Sequence, residues 1–329
     1  MANNPKAEFS WPEIGNNRII DFLERAINNG KIAQTYIFIG PDDLGKSTVA
    51  MAFAKNLQGE NGGFNSDLHI LERAPEEKGI SIAAVREFIK VLNLSSFSNS
   101  YKIGVIKEAD LLSEEAKSAL LKTLEEPKEN VIIILLTKDE NSLPATILSR
   151  GQLLYFQPVP SALIYDYLIK HFGANRSLAK DLSKLALGKP LAAVKLFEDQ
   201  QAYKNCLEQA ELWLSIFGTD VNNRLSVLDK LFNDRTWSRQ ALGGADGILS
   251  MAEGLSRDLL LLFLDQKDRL QYSAISEALE RTIEVLGGND NQKKPAIILN
   301  QLKLIAQARE YLGANVNPRL VLEQLIVNI

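Results

Sequence analysis

The sequence predicts an α/β domain, a parallel sheet with helices on both faces, followed by all-α segments. Three observations carry that reading. Up to about Pro158, short β-branched or apolar runs alternate with helical patterns, the texture of a parallel sheet covered on both sides. A glycine-rich stretch, residues 40–47, joins the first such run to a helix. Beyond Pro160 the strand signal disappears and only helical periodicity continues.

Residues 36–39, 69–71, 102–106, 132–136 and 153–156 read as strands. Between them, residues 16–29 put Ile19, Ile20, Leu23, Ala26 and Ile27 on one helical face, with Gly30 as a stop. Residues 48–57 continue helically from the glycine-rich stretch. Residues 59–65 have the composition of a flexible surface loop. Ser81 caps a helix carrying Ile82, Val85, Ile89 and Leu92 at core spacing. Ser113 caps another that ends before Pro127. Residues 161–197 hold short helical patterns broken at Gly173 and at Gly188-Lys189-Pro190. From 201 onward the helices are long and amphipathic, as at 255–264 and 296–312. The expected division is 1–160, 161–205 and 206–329.

With 329 residues, 46% hydrophobic and 24% charged, the chain can bury full cores. A formal charge of -4 gives no bulk attraction to nucleic acid, so any DNA contact must be local. Cys206 is the only cysteine, which excludes an intramolecular disulfide and a multi-cysteine zinc site; it reads as a small buried hydrophobe. Residues 1–10 are polar, without the apolar core of a signal peptide, and runs such as 131–136 are far too short to span a bilayer. The expectation is a soluble cytoplasmic protein with no membrane partner. His69, His171, Trp213 and Trp237 have no partner pattern and read as structural.

The segment Gly40-Pro-Asp-Asp-Leu-Gly45-Lys46-Ser47 is G-x-x-x-x-G-K-[ST] in a strand–loop–helix setting. Glycines let backbone N–H groups close around phosphates at a helix N-terminus. The expected cofactor contacts are Gly40, Pro41, Gly45, Lys46, Ser47 and Thr48: Lys46 neutralises β/γ phosphates and the Ser47 hydroxyl ligates Mg²⁺. Asp43 beside phosphate oxygens is repulsive unless it points to solvent, which weakens affinity. Hydrolysis also needs acids at a neighbouring strand tip. There the chain reads Ile106-Lys107-Glu108-Ala109-Asp110: Glu108 is placed to orient water, but Lys107 stands where an aspartate is expected, putting an ammonium near the metal. Asp110 reads as a helix-start residue stabilised by the helix dipole.

Residues 120–127 (Leu-Leu-Lys-Thr-Leu-Glu-Glu-Pro) and 143–150 (Leu-Pro-Ala-Thr-Ile-Leu-Ser-Arg) resemble signatures of bacterial clamp-loader ATPases. Residues 315–323, together with Trp11-Pro-Glu-Ile-Gly15 and Gly30-Lys31, resemble the delta-prime branch of that family. The resemblance covers essentially the whole chain. It implies an AAA+ αβα domain, a helical lid, and a helical collar that packs into a pentameric ring with gamma/tau and delta subunits. That ring loads the sliding clamp onto primer-template DNA. It also implies that Thr137 is at or beside the γ-phosphate sensor, and that Arg150, in Ser149-Arg150, reaches into a neighbouring subunit's ATP site.

The departures sharpen this picture. The family's four-cysteine zinc module has no counterpart in residues 57–66, so no zinc is expected. Gly151 stands where the arginine motif carries cysteine, and Leu191 stands at about the position of the lid's sensor arginine. Losing that arginine and the strand-tip aspartate points to a delta-prime-like stator that binds ATP or ADP with Mg²⁺ weakly. The alternatives are a gamma/tau-like motor and an AAA+ scaffold outside replication.

Overall fold

The computed structural model describes residues 9–58, 67–74, 77–94, 101–126, 128–232, 238–286 and 293–329. Pro127, Trp237 and the loop read at 59–65, which includes most of the stretch lacking zinc cysteines, lie outside the described residues.

Five strands form one sheet: β1 (Thr35–Ile39), β2 (Leu68–Leu71), β3 (Lys102–Ile106), β4 (Val131–Thr137) and β5 (Gln152–Tyr155). Their order is β2-β3-β4-β1-β5, and every pairing is parallel. Each predicted strand is found within one residue at either end. The unbroken apolar runs of β1 and β4 have their physical cause here, since every residue of both is buried.

Helices α1 (Asn17–Asn28), α2 (Lys46–Gln58), α3 (Ile82–Leu92), α4 (Glu114–Glu125) and α5 (Ala145–Leu148) cover the sheet. The period of two sorts the strand side chains. Ile37, Ile39, Ile133 and Leu135 pack with Val85, Phe88 and Leu92 of α3 and Leu120 and Leu124 of α4. Tyr36, Phe38, Ile132 and Ile134 pack on the other face with Leu23 of α1 and Val49 and Phe53 of α2. The two serine caps are real: Ser81 accepts from the Ala84 N–H and Ser113 from the Ala116 N–H.

Gly151 has a packing reason. A Cβ there would lie 2.6 Å from Ile37 Cγ1 and 2.7 Å from Ile37 Cδ1, so the Ile37 side chain fills the space a cysteine needs. Gly151→Cys is therefore expected to cost about 1–3 kcal/mol through overpacking. Urea unfolding of the two proteins checks this, and equal midpoints would refute the clash.

The chain divides into two compact units, residues 1–164 with 188–192, and 165–187 with 193–329. After the sheet come α6 (Ser161–Phe172), α7 (Arg176–Leu185), α8 (Pro190–Glu198), α9 (Gln200–Leu214), α10 (Val221–Leu231), α11 (Arg239–Phe263), α12 (Ser276–Val285), α13 (Lys293–Gly313) and α14 (Pro318–Asn328). Helix α9 runs through the expected 205/206 boundary, and the break precedes it at Asp199, whose carboxylate caps α9 on the Ala202 N–H.

The second unit's core joins Trp213, Leu228, Leu249, Leu255, Leu259, Ile298, Ile305 and Leu325. Cys206 is only half-buried against it, and burial pushes its thiol pKa up. Asp258 is fully buried and accepts from the N–H groups of Gln271 at 3.0 Å and Tyr272 at 2.7 Å. Burial pushes its carboxyl up, and the two N–H donors pull the other way.

The 315–323 signature is a structural tie. Asn317 caps α14 with Pro318 in its first turn. Arg319 then binds Glu323 and Asp229 at 2.6 Å each and donates to the Phe232 carbonyl at 2.8 Å, fastening α14 to α10. Among the described residues, no helix is long and apolar enough to cross a membrane.

Candidate nucleotide-binding site

The loop after β1 is anchored by the Gly40 N–H, which donates to the Thr137 carbonyl at the end of β4 at 3.1 Å. Gly40 has φ +148°, and a Cβ on it would press 2.8 Å against the Phe156 carbonyl oxygen. Gly45 has φ +91° with open space where its Cβ would be. Both conformations are ones that L side chains rarely adopt. Helix α2 starts at Lys46, so the positive end of its dipole and its N–H groups without intrahelical acceptors border the loop.

Lys46 is buried, and its ammonium donates to the carbonyls of Gly40 and, at 2.6 Å, Pro41. Burial lowers its pKa, opposed by Asp42, Asp110 and Asp43 and reinforced by Lys138. Ser47 is half-buried; Pro41 and Thr48 are exposed.

Thr137 is buried beside the loop, but its hydroxyl is engaged with the Asp139 carbonyl at 3.0 Å and Ser142 Oγ at 2.8 Å. The next residue, Lys138, pairs with Asp42 of the loop at 2.7 Å. Neither member of that pair was singled out from sequence. The only available signal was a cation directly following a strand tip, and strand order, which the sequence does not state, is what puts β4 beside β1.

At the β3 tip one expectation changes. Lys107 does not put its ammonium near the loop: its Nζ lies 2.8 Å from Glu72 Oε2, just past edge strand β2. Glu108, at φ +53°, lies 3.7 Å from Arg73 and also pulls on Lys138. Asp110 does sit in the turn Ala109–Leu111, as a helix-start residue should. It is also the strand-tip acid that acts electrostatically on both Lys46 and Lys138, and its Oδ1 is buried without a hydrogen-bond partner. Leu191 contributes its main chain, donating its N–H to the Asp43 carbonyl at 3.1 Å.

Arg150 is elsewhere. It precedes β5, which pairs in parallel with β1 in the register Tyr36↔Gln152 and Ile39↔Tyr155. The loop follows the far end of β1, so Arg150 lies at the opposite end of the strands, separated by a strand length of roughly 13–17 Å. Its guanidinium donates to the Thr146 carbonyl and pairs with Glu125 Oε1 of α4, both at 2.6 Å. Residues 120–127 and 143–150 are thus tied by an ion pair. Ser149 is exposed beside it, as is Lys122.

Loop, sheet and helices define a parallel α/β protein that carries a P-loop motif and has a helical C-terminal region. The family model described as DNA polymerase III, delta subunit, matches residues 15–160. DNA polymerase III subunit delta' of Bacillus subtilis is 23% identical, covering 97% of this chain and 98% of that protein. DNA polymerase III subunit tau of the same organism is 25% identical over 96% of this chain, which spans 60% of that relative's length. A solved gamma subunit-related protein from Thermotoga maritima is 20% identical with a TM-score of 0.45, covering 93% of this chain and 97% of its own. The chain is thus similar to the delta' and tau subunits of DNA polymerase III, over nearly the whole length of the delta' protein.

Proposed function

We propose that this chain is the delta'-like subunit of a DNA polymerase III clamp loader. In this reading it works in the cytoplasm beside gamma/tau and delta subunits in a hetero-pentameric ring and helps place the sliding clamp on primer-template DNA. Residues 1–160 form the nucleotide domain, 161–199 the lid, and the helices from Gln200 onward the collar. The observation that carries the reading is an intact phosphate loop beside a strand tip whose acid position is occupied by Lys107, with its ammonium turned away to Glu72.

The loop residues fit a Mg²⁺-nucleotide. Gly45 leaves room for an oxygen to approach the backbone, and Lys46 holds a buried ammonium against carbonyls that a phosphate would outcompete in charge. Ser47 supplies the hydroxyl for Mg²⁺, which neutralises phosphate charge when bound. Thr137 is the proposed sensor position, though its hydroxyl is held by Asp139 and Ser142. Glu108 is the proposed remnant of the catalytic acid, with Arg73 facing it.

One observation favours the gamma-like motor: Asp110 supplies negative charge near Lys46 that the motif position itself lacks. Calorimetry with ATP and ADP plus a phosphate-release assay separates the two. The delta'-like reading expects measurable Mg²⁺-nucleotide binding and turnover indistinguishable from background. Robust turnover by the chain alone, abolished by Lys46→Ala, would establish the motor.

A further inference from the structure

We propose that Lys138 is a second phosphate-binding cation of this loop, and that Asp42 is an internal carboxylate holding it until a phosphate takes its place. The inference rests on the reading of residues 40–47 as a nucleotide loop and adds a competitor built into it. Asp42 lies within the loop, two residues after Gly40, and binds the ammonium of Lys138 at 2.7 Å. Lys138 directly follows Thr137, whose carbonyl is bonded to the Gly40 N–H, so strand β4 delivers the ammonium to the mouth of the loop.

The neighbouring hydroxyl is poorly placed for this task. Thr137 Oγ1 already donates to the Asp139 carbonyl and shares a hydrogen bond with Ser142. An ammonium has three donors and a flexible four-carbon stem, so Lys138 can move between a carboxylate and a phosphate oxygen without moving the strand. The surroundings favour its charged form: the Asp42 hydrogen bond raises its pKa most, with further pull from Asp110 and Glu108.

Magnitudes allow the exchange. Lys138 and Asp42 are about half-exposed, at 50% and 58%. An exposed pair of this kind holds by no more than about fivefold in population. A phosphate carries more charge than the Asp42 carboxylate and would also bind Lys46 and the α2 N-terminus, so it outcompetes the carboxylate. In the free protein Asp42 thus balances charge that would otherwise be crowded, since Lys138 and Lys46 repel one another. In the bound protein Asp42 loses its partner, and that lost pair is a standing penalty on affinity.

The experiment is titration calorimetry of the full chain with MgATP and MgADP at fixed ionic strength. The set is wild type, Lys46→Ala, Lys138→Gln, Asp42→Asn and the Asp42→Asn/Lys138→Gln double variant. Both latch positions are half-exposed, so the variants are expected to fold, and thermal melts confirm it. Lys138→Gln should weaken binding about tenfold, one charge-assisted hydrogen bond. Asp42→Asn should tighten it about fivefold, and the double variant should show that the gain requires Lys138. If wild-type binding is below detection, binding that appears in Asp42→Asn and vanishes in the double variant supports the latch. Its absence from both overturns it. Loss of binding in Lys46→Ala with Lys138→Gln and Asp42→Asn unchanged overturns the latch alone. Undiminished binding in Lys46→Ala overturns the nucleotide-loop reading itself.

Discussion

Arg150→Ala is expected to lower the clamp- and DNA-stimulated ATP turnover of an assembled loader while leaving the ring intact. A guanidinium is permanently charged and presents a planar fork of donors suited to γ-phosphate oxygens as charge shifts during transfer. Supplied from outside the site, such a group is worth about 10³–10⁵ in rate at the site it serves. The register of β5 on β1 supports action in trans, because Arg150 and its own chain's loop lie at opposite ends of these paired strands. In the isolated chain Arg150 is parked on Glu125. With side-chain exposures of 32% and 49%, that pair is worth no more than about 1 kcal/mol and does not prevent release. The check is steady-state phosphate release by reconstituted loader with either chain; other sites in the ring mask part of the loss. Unchanged turnover with unchanged clamp loading would make Arg150 a surface residue whose role ends at Glu125.

The second large effect is on assembly. Leu320 and Val327 lie two helical turns apart on α14 and are 59% and 44% exposed, lining a groove with Leu225 and Gln324. If the helices from Gln200 onward form the proposed collar, these aligned, solvent-open apolar side chains are the face a partner subunit would cover. Placing aspartate at both positions is expected to abolish co-elution with other loader subunits. The melting temperature should stay within a few degrees of wild type, because neither side chain belongs to the buried core. Retained co-elution would move the assembly face elsewhere on the second unit.

The sheet was legible because its strands are short, apolar and bounded by turn residues, and because buried parallel strands leave no polar alternation to confuse the reading. Ser81 and Ser113 were legible as caps because capping is local chemistry. The boundary near residue 205 was not, since no glycine or proline marks it and α9 begins instead at an aspartate cap.

At the site, the local motif was readable and the cross-strand partners were not. Lys107 was placed near the metal from its position in sequence, but a lysine stem reaches wherever its nearest carboxylate is, and Glu72 lies just past the adjacent strand β2. The pairs Asp42–Lys138 and Glu125–Arg150 join residues far apart in sequence, and only the strand order brings them together. From sequence, Gly151 is only a departure from the cysteine of the arginine motif. Its actual constraint is the Ile37 side chain of a neighbouring strand, which local pattern does not show.

In the proposed function this chain is a required loader subunit whose own ATP turnover is dispensable. The most direct test is clamp loading onto primed DNA by a loader reconstituted with gamma/tau-like and delta-like subunits and the sliding clamp, with this chain present, omitted, or replaced by Lys46→Ala. Loading is expected with the wild-type chain, none on omission, and near-normal loading with Lys46→Ala. Equal loading without the chain, or collapse of loading in Lys46→Ala with the ring intact, would contradict it.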